Sequence, residues 1–199
     1  MTAPDHVDFW FDPSCPFTWR TSRWLVSAAA ERGVPVHWHL MSLAVLNAGK
    51  EAPEDIRRRR AQGLVTTRLF AAVATEHGPD ALARLYTEFG DRLHEQGRDV
   101  DTGLHREALA AAGLPADLAA AGDDDTHQAA VEASHAEGQD RVGTESGSPI
   151  TAFADRRGFF GPIVDDTPAG EDALRLFDGL ALVTSVPGFS ELKGARGTG

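Results

Sequence analysis

The sequence near the N-terminus reads Phe9-Trp10-Phe11-Asp12-Pro13-Ser14-Cys15-Pro16-Phe17-Thr18-Trp19. An aromatic, strand-like run ends at Asp12-Pro13, and a helical pattern begins at Pro16, a residue favoured in the first turn of a helix. Cys15, the only cysteine of the chain, therefore stands at the N-terminus of a predicted helix. Free backbone N–H groups and the helix dipole favour a thiolate there, so we expect an exposed Cys15 sulfur with a lowered pKa.

The spacing that follows this cysteine is typical of thioredoxin-type proteins. Cys15-Pro16-Phe17-Thr18 has the spacing of a Cys-x-x-Cys motif, with Thr18 in place of the second cysteine. In a dithiol motif the second thiolate resolves the mixed disulfide that the first one forms. Thr18 cannot do this, although its hydroxyl can donate a hydrogen bond to a thiolate at Cys15. We therefore expect monothiol chemistry, in which a thiol from outside the chain releases the product.

The elements on either side of the cysteine predict a βαβ unit. Val7 to Asp12 is predicted as a buried strand, Pro16 to Arg32 as a helix closed by Gly33, and Pro35 to Met41 as a second strand. A strand, a helix and a strand within so short a segment imply a right-handed crossover and parallel strands.

The rest of the chain divides into a helical middle and a strand-containing end. The predicted helices of the middle are Glu54 to Glu76, Asp80 to Glu95, Gly103 to Ala112, Pro115 to Ala120 and Asp125 to Glu137. After Gly147-Ser148-Pro149 the predicted elements are strands Ile150 to Ala154 and Phe159 to Val164, joined as a hairpin, and a helix from Glu171 to about Val183. The order βαβ, helical insert, ββα predicts an α/β thioredoxin-like fold. Its thioredoxin-like domain comprises residues 1–50 and 142–199, and residues 51–141 form an all-helical insertion subdomain.

Composition and charge limit the function classes. The 199 residues have a formal net charge of -11, which argues against general affinity for nucleic acid or for an anionic membrane. The apolar stretches are too short to span a bilayer, and the N-terminus shows no secretory signal. A single cysteine cannot form an internal disulfide, so we expect a cytoplasmic protein. The oligomeric state stays open, with a homodimer as one alternative.

The eight histidines raise the question of a metal site. His37 and His39 share one face of the predicted second strand, which would suit two metal ligands. No Cys-x-x-Cys or His-x-x-x-His signature accompanies them, so we interpret them as a solvated strand face and expect no metal.

Taken together, the chain resembles the DsbA-like branch of the thioredoxin superfamily and, more narrowly, the actinobacterial mycothiol-dependent nitroreductase-like proteins. The resemblance runs from about Val7 to Lys193. The matching segments are Asp8-Phe9-Trp10-Phe11-Asp12-Pro13, Cys15-Pro16, Thr21-Ser22-Arg23-Trp24, Met41-Ser42-Leu43-Ala44, Leu46-Asn47, Gly147-Ser148-Pro149, Phe159-Phe160-Gly161-Pro162 and Glu191-Leu192-Lys193.

The resemblance implies roles for several residues. Cys15 resembles the nucleophile that meets a low-molecular-weight thiol, which makes mycothiol or a related thiol the expected co-substrate. Pro149 resembles the cis-proline opposite that cysteine, where the backbone of Ser148 can pair with a bound thiol or peptide. Asn47 matches an active-site asparagine, although the residue alone would suit a turn or a helix cap. Phe17 matches an aromatic position between the family's two cysteines, and we expect it to touch the substrate.

The sequence departs from the family pattern at two positions. Thr18 replaces the second cysteine, and Ile56 is the occupant of a position where the family has a tyrosine. The candidate site consists of Cys15 and Thr18 as catalytic residues and of Ser14, Pro16, Phe17, Asn47, Ser148 and Pro149 as thiol- or substrate-binding residues.

Three functions are compatible with these residues. The first is a thiol-dependent oxidoreductase in which Cys15 acts on a disulfide or electrophilic substrate with an external thiol. The second is a glutathione-transferase-like or isomerase-like enzyme, in which Ser14 or Thr18 activates a bound thiol. The third is a catalytically silent binding protein, in which Cys15 is a small buried hydrophobic residue.

Overall fold

The computed structural model describes residues 4–195, and its centre is a four-stranded sheet. The strands are β1 (Val7–Phe11), β2 (Val36–Leu40), β3 (Ile150–Phe153) and β4 (Phe159–Phe160), in the spatial order β2-β1-β3-β4. β1 and β2 are parallel, whereas β3 is antiparallel to both β1 and β4. This sheet confirms the predicted thioredoxin-like α/β class.

Helix α1 (Pro16–Arg32) connects the two parallel strands and confirms the βαβ unit. It begins directly after Cys15 and ends at Gly33, whose φ of 66° is a left-handed conformation that glycine adopts without a steric penalty. The site therefore lies where β1 ends and α1 begins.

A helical region separates β2 from β3. It comprises α2 (Leu43–Leu46), α3 (Glu54–His77), α4 (Pro79–Gly90), a π-helical turn (Asp91–Glu95), α5 (Thr102–Ala111), a 3-10 turn (Ala116–Gly122) and α6 (Gln128–Val142). A last helix, α7 (Gly170–Val183), follows β4. No helix in the described part of the chain is long and apolar enough to cross a membrane.

Several predicted bounds were wrong. The hairpin strand predicted over Phe159 to Val164 ends at Phe160, because Gly161 has a φ of 94° and Pro162 has no N–H for the ladder. The segment predicted as a helix from Pro115 forms a 3-10 turn, and α6 begins three residues later than predicted and continues to Val142. The division of the chain at residues 50/51 and 141/142 stays a prediction, and its residues 1–3 and 196–199 lie outside the described range.

The two faces of the sheet are buried differently. Val7, Phe9 and Phe11 point into a large core, where the Phe11 ring stacks on Tyr86 of α4 at 4.1 Å between centroids. The helical region and one face of the sheet therefore share one hydrophobic core. On the opposite face, α6 passes so close to Trp10 that a Cβ at Gly138 would lie 2.8 Å from the indole.

The histidines of β2 are not a simple solvated face. His39 is half-buried, stacks on Trp10 at 4.5 Å between ring centroids, and lies 3.1 Å from the Asp8 carboxylate. His37 is more exposed but also lies beside Asp8, because the parallel register pairs these two residues.

Candidate functional site

Cys15 occupies the N-cap position of α1, as the sequence predicts. Its backbone N–H donates to the Asp12 carbonyl at 3.1 Å, and its carbonyl accepts from the Trp19 N–H at 3.0 Å. The cysteine is thus fixed on both sides, by the turn that leaves β1 and by the first turn of α1.

The expectation of an exposed thiolate at Cys15 was wrong. Only 7% of the residue is exposed, and this burial raises the pKa of the thiol. Hydrogen bonds from the Thr18 side chain and from the backbone of Thr18 and Phe17 favour the thiolate, and the negative charge of Asp12 opposes it. Loss of hydration therefore outweighs the helix N-terminus, so the resting thiol is largely protonated at neutral pH.

Thr18 connects the cysteine to the loop before β3. The Thr18 side chain is fully buried, and its Oγ1 lies 2.7 Å from Oγ of Ser148. Ser148 Oγ also accepts a hydrogen bond from the Asp12 N–H at 2.9 Å. If Ser148 donates to Thr18, the Thr18 hydroxyl hydrogen is left for the Cys15 sulfur. The predicted residues Cys15, Thr18 and Ser148 are therefore brought together.

Pro149 lies in a loop that is held from two sides. The Ser148–Pro149 peptide bond is cis, and the Pro149 carbonyl accepts from the Gly161 N–H at 2.8 Å. A second cis peptide bond joins Gly161 to Pro162, and the Pro162 carbonyl accepts from Thr21 Oγ1 of α1 at 2.8 Å. The loop of residues 160–162 thus ties the Pro149 loop to the helix that begins at Cys15.

Asp12 is a site residue that the sequence reasoning missed. Its carboxylate accepts hydrogen bonds from the Ser14 N–H at 2.9 Å and from the Leu43 N–H at 2.7 Å. Burial raises the pKa of Asp12 to about 6, although these two hydrogen bonds counteract part of the rise. An acidic residue directly after the aromatic run Phe9-Trp10-Phe11, three positions before the cysteine, was the signal available in the sequence.

The predicted substrate-binding residues next to the thiol differ in exposure. Pro16 is exposed and Phe17 is half-buried, with the Arg20 guanidinium 5.1 Å from the centroid of the Phe17 ring. Ser14 is half-buried, and within the described residues its Oγ is a buried atom without a hydrogen-bond partner. Pro16 and Phe17 form the accessible rim of the site, whereas the Ser14 hydroxyl is a buried polar group.

Asn47 lies at the C-terminal end of α2, where its Nδ2 donates to the Leu43 carbonyl at 2.8 Å. This hydrogen bond agrees with the interpretation of Asn47 as a helix-cap residue. Between residues 4 and 195, no hydrogen bond joins Asn47 to Cys15. Asn47 is connected to the cysteine loop only indirectly, through Leu43 at the other end of α2, whose N–H donates to Asp12.

A residue from the helical region also reaches the site, without a signal in the sequence pattern. The π-helical turn places His94 Nε2 at 3.1 Å from the Pro13 carbonyl and the His94 ring against Trp19. In the same turn, Glu95 accepts a hydrogen bond from Trp19 Nε1 at 2.6 Å. π-helical turns occur frequently at functional sites, and this one fixes the loop that carries Cys15.

An open cavity of about 320 Å³ lies beside the Ser148 loop. Its lining residues come from α2, α6 and the segment after α6, namely Val45, Leu46, His135, Gln139 and Glu145. Gln139 exchanges two hydrogen bonds with the backbone of Ser146, at 2.7 and 2.9 Å. The wall of the cavity is therefore connected to the loop that carries Ser148 and Pro149.

Comparisons with known sequences identify the family. A family model described as "Rv2466c-like: Mycothiol-dependent nitroreductase Rv2466c" matches residues 14–194. The uncharacterized protein Rv2286c of Mycobacterium tuberculosis is 34% identical over 192 residues, which covers 94% of this chain and 80% of that relative.

Comparisons with solved structures support the fold. A probable DsbA oxidoreductase from Streptomyces coelicolor, SCO1869, has a TM-score of 0.56 at 18% identity, with 96% of this chain and 93% of that chain covered. A 2-hydroxychromene-2-carboxylate isomerase has a TM-score of 0.60 at 14% identity, with coverages of 88% and 93%. At these identities the likeness shows the fold, which is DsbA-like.

Proposed function

Because the chain belongs to the Rv2466c-like family of mycothiol-dependent nitroreductases, we propose that it is a thiol-dependent oxidoreductase that uses Cys15 with mycothiol as the external thiol. The observation that carries the proposal is the position of the Cys15 sulfur. It lies at the N-terminus of α1, and the Thr18 hydroxyl that hydrogen-bonds it is joined to Ser148 of the Pro149 loop.

The proposed reaction has two displacement steps. The Cys15 thiol loses its proton, and its sulfur attacks a mixed disulfide between mycothiol and a second thiol compound. A bond forms between Cys15 and the mycothiol sulfur, the original S–S bond breaks, and the second thiol leaves and takes up a proton. A mycothiol thiolate then attacks the adduct, which forms mycothiol disulfide and restores Cys15. In the net reaction one free mycothiol is oxidised to the disulfide level and the sulfur of the second thiol compound is reduced to a thiol, while the mycothiol sulfur of the mixed disulfide keeps its oxidation state.

The surrounding groups control when the sulfur ionises. The Thr18 hydroxyl and the first amides of α1 stabilise the thiolate, whereas burial and the Asp12 charge oppose it. Because Asp12 opposes ionisation at Cys15, protonation of the Asp12 carboxyl favours the thiolate. In the absence of substrate, these opposing effects hold Cys15 as a thiol, which protects a lone cysteine from oxidation.

The proposed binding residues belong to the segment around Cys15, to the Pro149 loop and to the end of α2. Phe17 and Pro16 contact the substrate at the exposed rim, and the buried Ser14 hydroxyl donates to a polar group of the bound thiol. The backbone of Ser148 pairs with the extended part of that thiol, and the cavity beside α2, near Asn47, receives the rest of the ligand. A cytoplasmic location, where low-molecular-weight thiols stay reduced, agrees with this chemistry.

One observation favours a second candidate, an isomerase-like or transferase-like enzyme. The raised pKa of Cys15 leaves its sulfur mostly protonated, while the Thr18 hydroxyl bonds to it and the Ser14 hydroxyl is buried without a hydrogen-bond partner among the described residues. In such an enzyme one hydroxyl would donate to the sulfur of a bound thiol, stabilise its thiolate and direct it to an electrophile.

Turnover of Cys15→Ser and Thr18→Val with mycothiol and a mycothiol mixed disulfide separates these functions. We expect Cys15→Ser to lose at least about 1,000-fold in kcat/KM, because a serine hydroxyl is a far weaker nucleophile toward sulfur. Thr18→Val should lose about 10-fold, since one hydrogen bond to a charged sulfur is absent. Ser27→Ala, a change on the exposed face of α1, is the matched control and should be unchanged.

Each other outcome has a defined meaning. Full turnover by Cys15→Ser would overturn the proposal in favour of the isomerase-like or transferase-like enzyme. No turnover by the wild-type chain on disulfide, nitroaromatic or electrophilic substrates would indicate a silent binding protein.

A further inference from the structure

A second cluster of reactive side chains lies at the other end of β1, around Asp8. Asp8 is on β1, His6 precedes that strand, and His37 stands opposite Asp8 in the parallel register with β2. His6 Nε2 lies 3.4 Å from Asp8 Oδ2, and His37 Nδ1 lies 3.3 Å from Asp8 Oδ1. The two imidazoles stack on one another with ring centroids 4.6 Å apart.

We propose that His6, Asp8 and His37 form a binding site for a divalent first-row transition metal ion such as Zn²⁺. Imidazole nitrogen and carboxylate oxygen are ligands that Zn²⁺ takes in proteins, and three protein ligands leave a fourth position for water or another ligand. Each of the three residues offers one ligand atom, and these atoms all lie within 4.8 Å of one another.

The separations are close to those that coordination requires. Bonds of about 2.0–2.1 Å in a tetrahedral arrangement place neighbouring ligand atoms about 3.4 Å apart. The two contacts to Asp8 already have this separation. Any wider pair, up to the limit of 4.8 Å for this group, would close by a small rotation of His37, whose side chain is 54% exposed.

The surroundings of Asp8 fit a ligand that is held in place. Arg141 Nη2 donates to Asp8 Oδ2 at 2.6 Å and to the Ala154 carbonyl at 3.1 Å. Oδ1 faces His37 and His39, whereas His6 lies beside Oδ2. Ligating carboxylates are commonly hydrogen-bonded in this way by a neighbouring group. The positive charge of Arg141 lowers the affinity for a cation, so the proposed site is one of moderate affinity. His39 Nε2 lies 3.1 Å from Asp8 Oδ1 and adds a further imidazole nitrogen at the same carboxylate.

The proposed metal site is separate from the thiol chemistry. His6 precedes the N-terminal end of β1, whereas Cys15 follows its C-terminal end. A metal bound at Asp8 would therefore tie the N-terminal segment to β2 and stabilise the fold by mass action without occupying the cysteine site.

Calorimetric titration of the full chain with Zn²⁺ tests the site. The titration is made in a Cys15→Ser background, so that the thiol cannot supply a ligand. We expect one Zn²⁺ per chain and a weakening of at least about 10-fold in each of His6→Ala and His37→Ala. His77→Ala, an exposed histidine at the end of α3, is the matched control and should bind like the parent.

Thermal unfolding with and without Zn²⁺ gives a second readout. The ion should raise the Tm of the parent and of His77→Ala, and should raise the Tm of His6→Ala and His37→Ala by less. The proposal is overturned if the parent binds no Zn²⁺, because the cluster is then only a hydrogen-bonded support for Asp8. It is equally overturned if the double variant His6→Ala/His37→Ala, folded by circular dichroism, binds Zn²⁺ as tightly as the parent.

Discussion

At the scale of single residues, the Cys15 sulfur experiences two opposing effects. The N-terminus of α1 and the Thr18 hydroxyl favour the thiolate, while burial and the nearby Asp12 carboxylate favour the thiol. Burial is the larger effect, so a cysteine in a position that usually activates thiols has a raised pKa.

The pH dependence of alkylation measures this balance directly, because Cys15 is the only thiol of the chain. We expect the rate with iodoacetamide to rise with a midpoint above the ordinary thiol value of about 8.5. In Thr18→Val the midpoint should rise further, since the hydrogen bond that stabilises the thiolate is lost. A midpoint at or below the value of free cysteine would contradict this description of the site.

The raised pKa of Asp12 can be tested through the pH dependence of the unfolding free energy. Its pKa is raised to about 6 in the folded chain, against about 3.9 when unfolded. The protonated carboxyl therefore stabilises the fold below about pH 4, and this contribution is lost as the pH rises through 6. It amounts to about 3 kcal/mol.

Urea unfolding of the wild type and of Asp12→Asn from pH 3.5 to 7.5 measures this contribution. We expect the difference in unfolding free energy, wild type minus variant, to fall by up to about 3 kcal/mol between pH 4 and 7. The variant also loses one hydrogen-bond acceptor, but this cost is independent of pH. A difference that stays constant or increases with pH would show that the pKa of the Asp12 carboxyl is not raised in the folded chain.

The sequence predicted some of these residues and missed others for a physical reason. Cys15 and Thr18 stand in one motif, and their positions follow from the strand-to-helix pattern. The exposure of the sulfur does not follow from it, because burial depends on side chains that arrive from other elements. His94, whose ring nitrogen meets the Pro13 carbonyl, comes from a region far along the chain and was not predicted for the same reason.

At the scale of elements, the strongly patterned segments were predicted best. β1, α1 and β2 agree with the structure to within about one residue at each end, because apolar periodicity and the closing Gly33 define them. β4 was predicted too long, because its end depends on the φ of Gly161 and the missing N–H of Pro162, which leave no signal in hydrophobic periodicity.

The contact between α6 and the sheet gives a prediction for a helix interior. Gly138→Ala should lower the unfolding free energy by about 1–3 kcal/mol, because the added Cβ would overlap the Trp10 ring. Gly63→Ala in α3 is the matched control, since a Cβ there has no atom within 4 Å. That change should raise stability by about 0.5–1 kcal/mol. Denaturant unfolding checks both, and equal effects of the two variants would contradict the close approach of α6 to the sheet.

At the scale of the whole molecule, the helical region and the thioredoxin-like part are joined in two ways. They share a hydrophobic core in which Phe11 of β1 packs against Tyr86 of α4. They also meet at the site, where His94 and Glu95 contact Pro13 and Trp19. The order of elements allowed the sequence to predict the helical insert, but not that its π-helical turn supports the cysteine loop.

The most direct test of the central claim is the intact mass of the chain after incubation with mycothiol disulfide. The proposed function predicts one mycothiol adduct per chain on Cys15, since the sulfur displaces one mycothiol thiolate. Free mycothiol should remove the adduct, and Cys15→Ser should never form it. A wild-type chain that turns over mycothiol-dependent substrates without ever forming the adduct would contradict a nucleophilic role for Cys15.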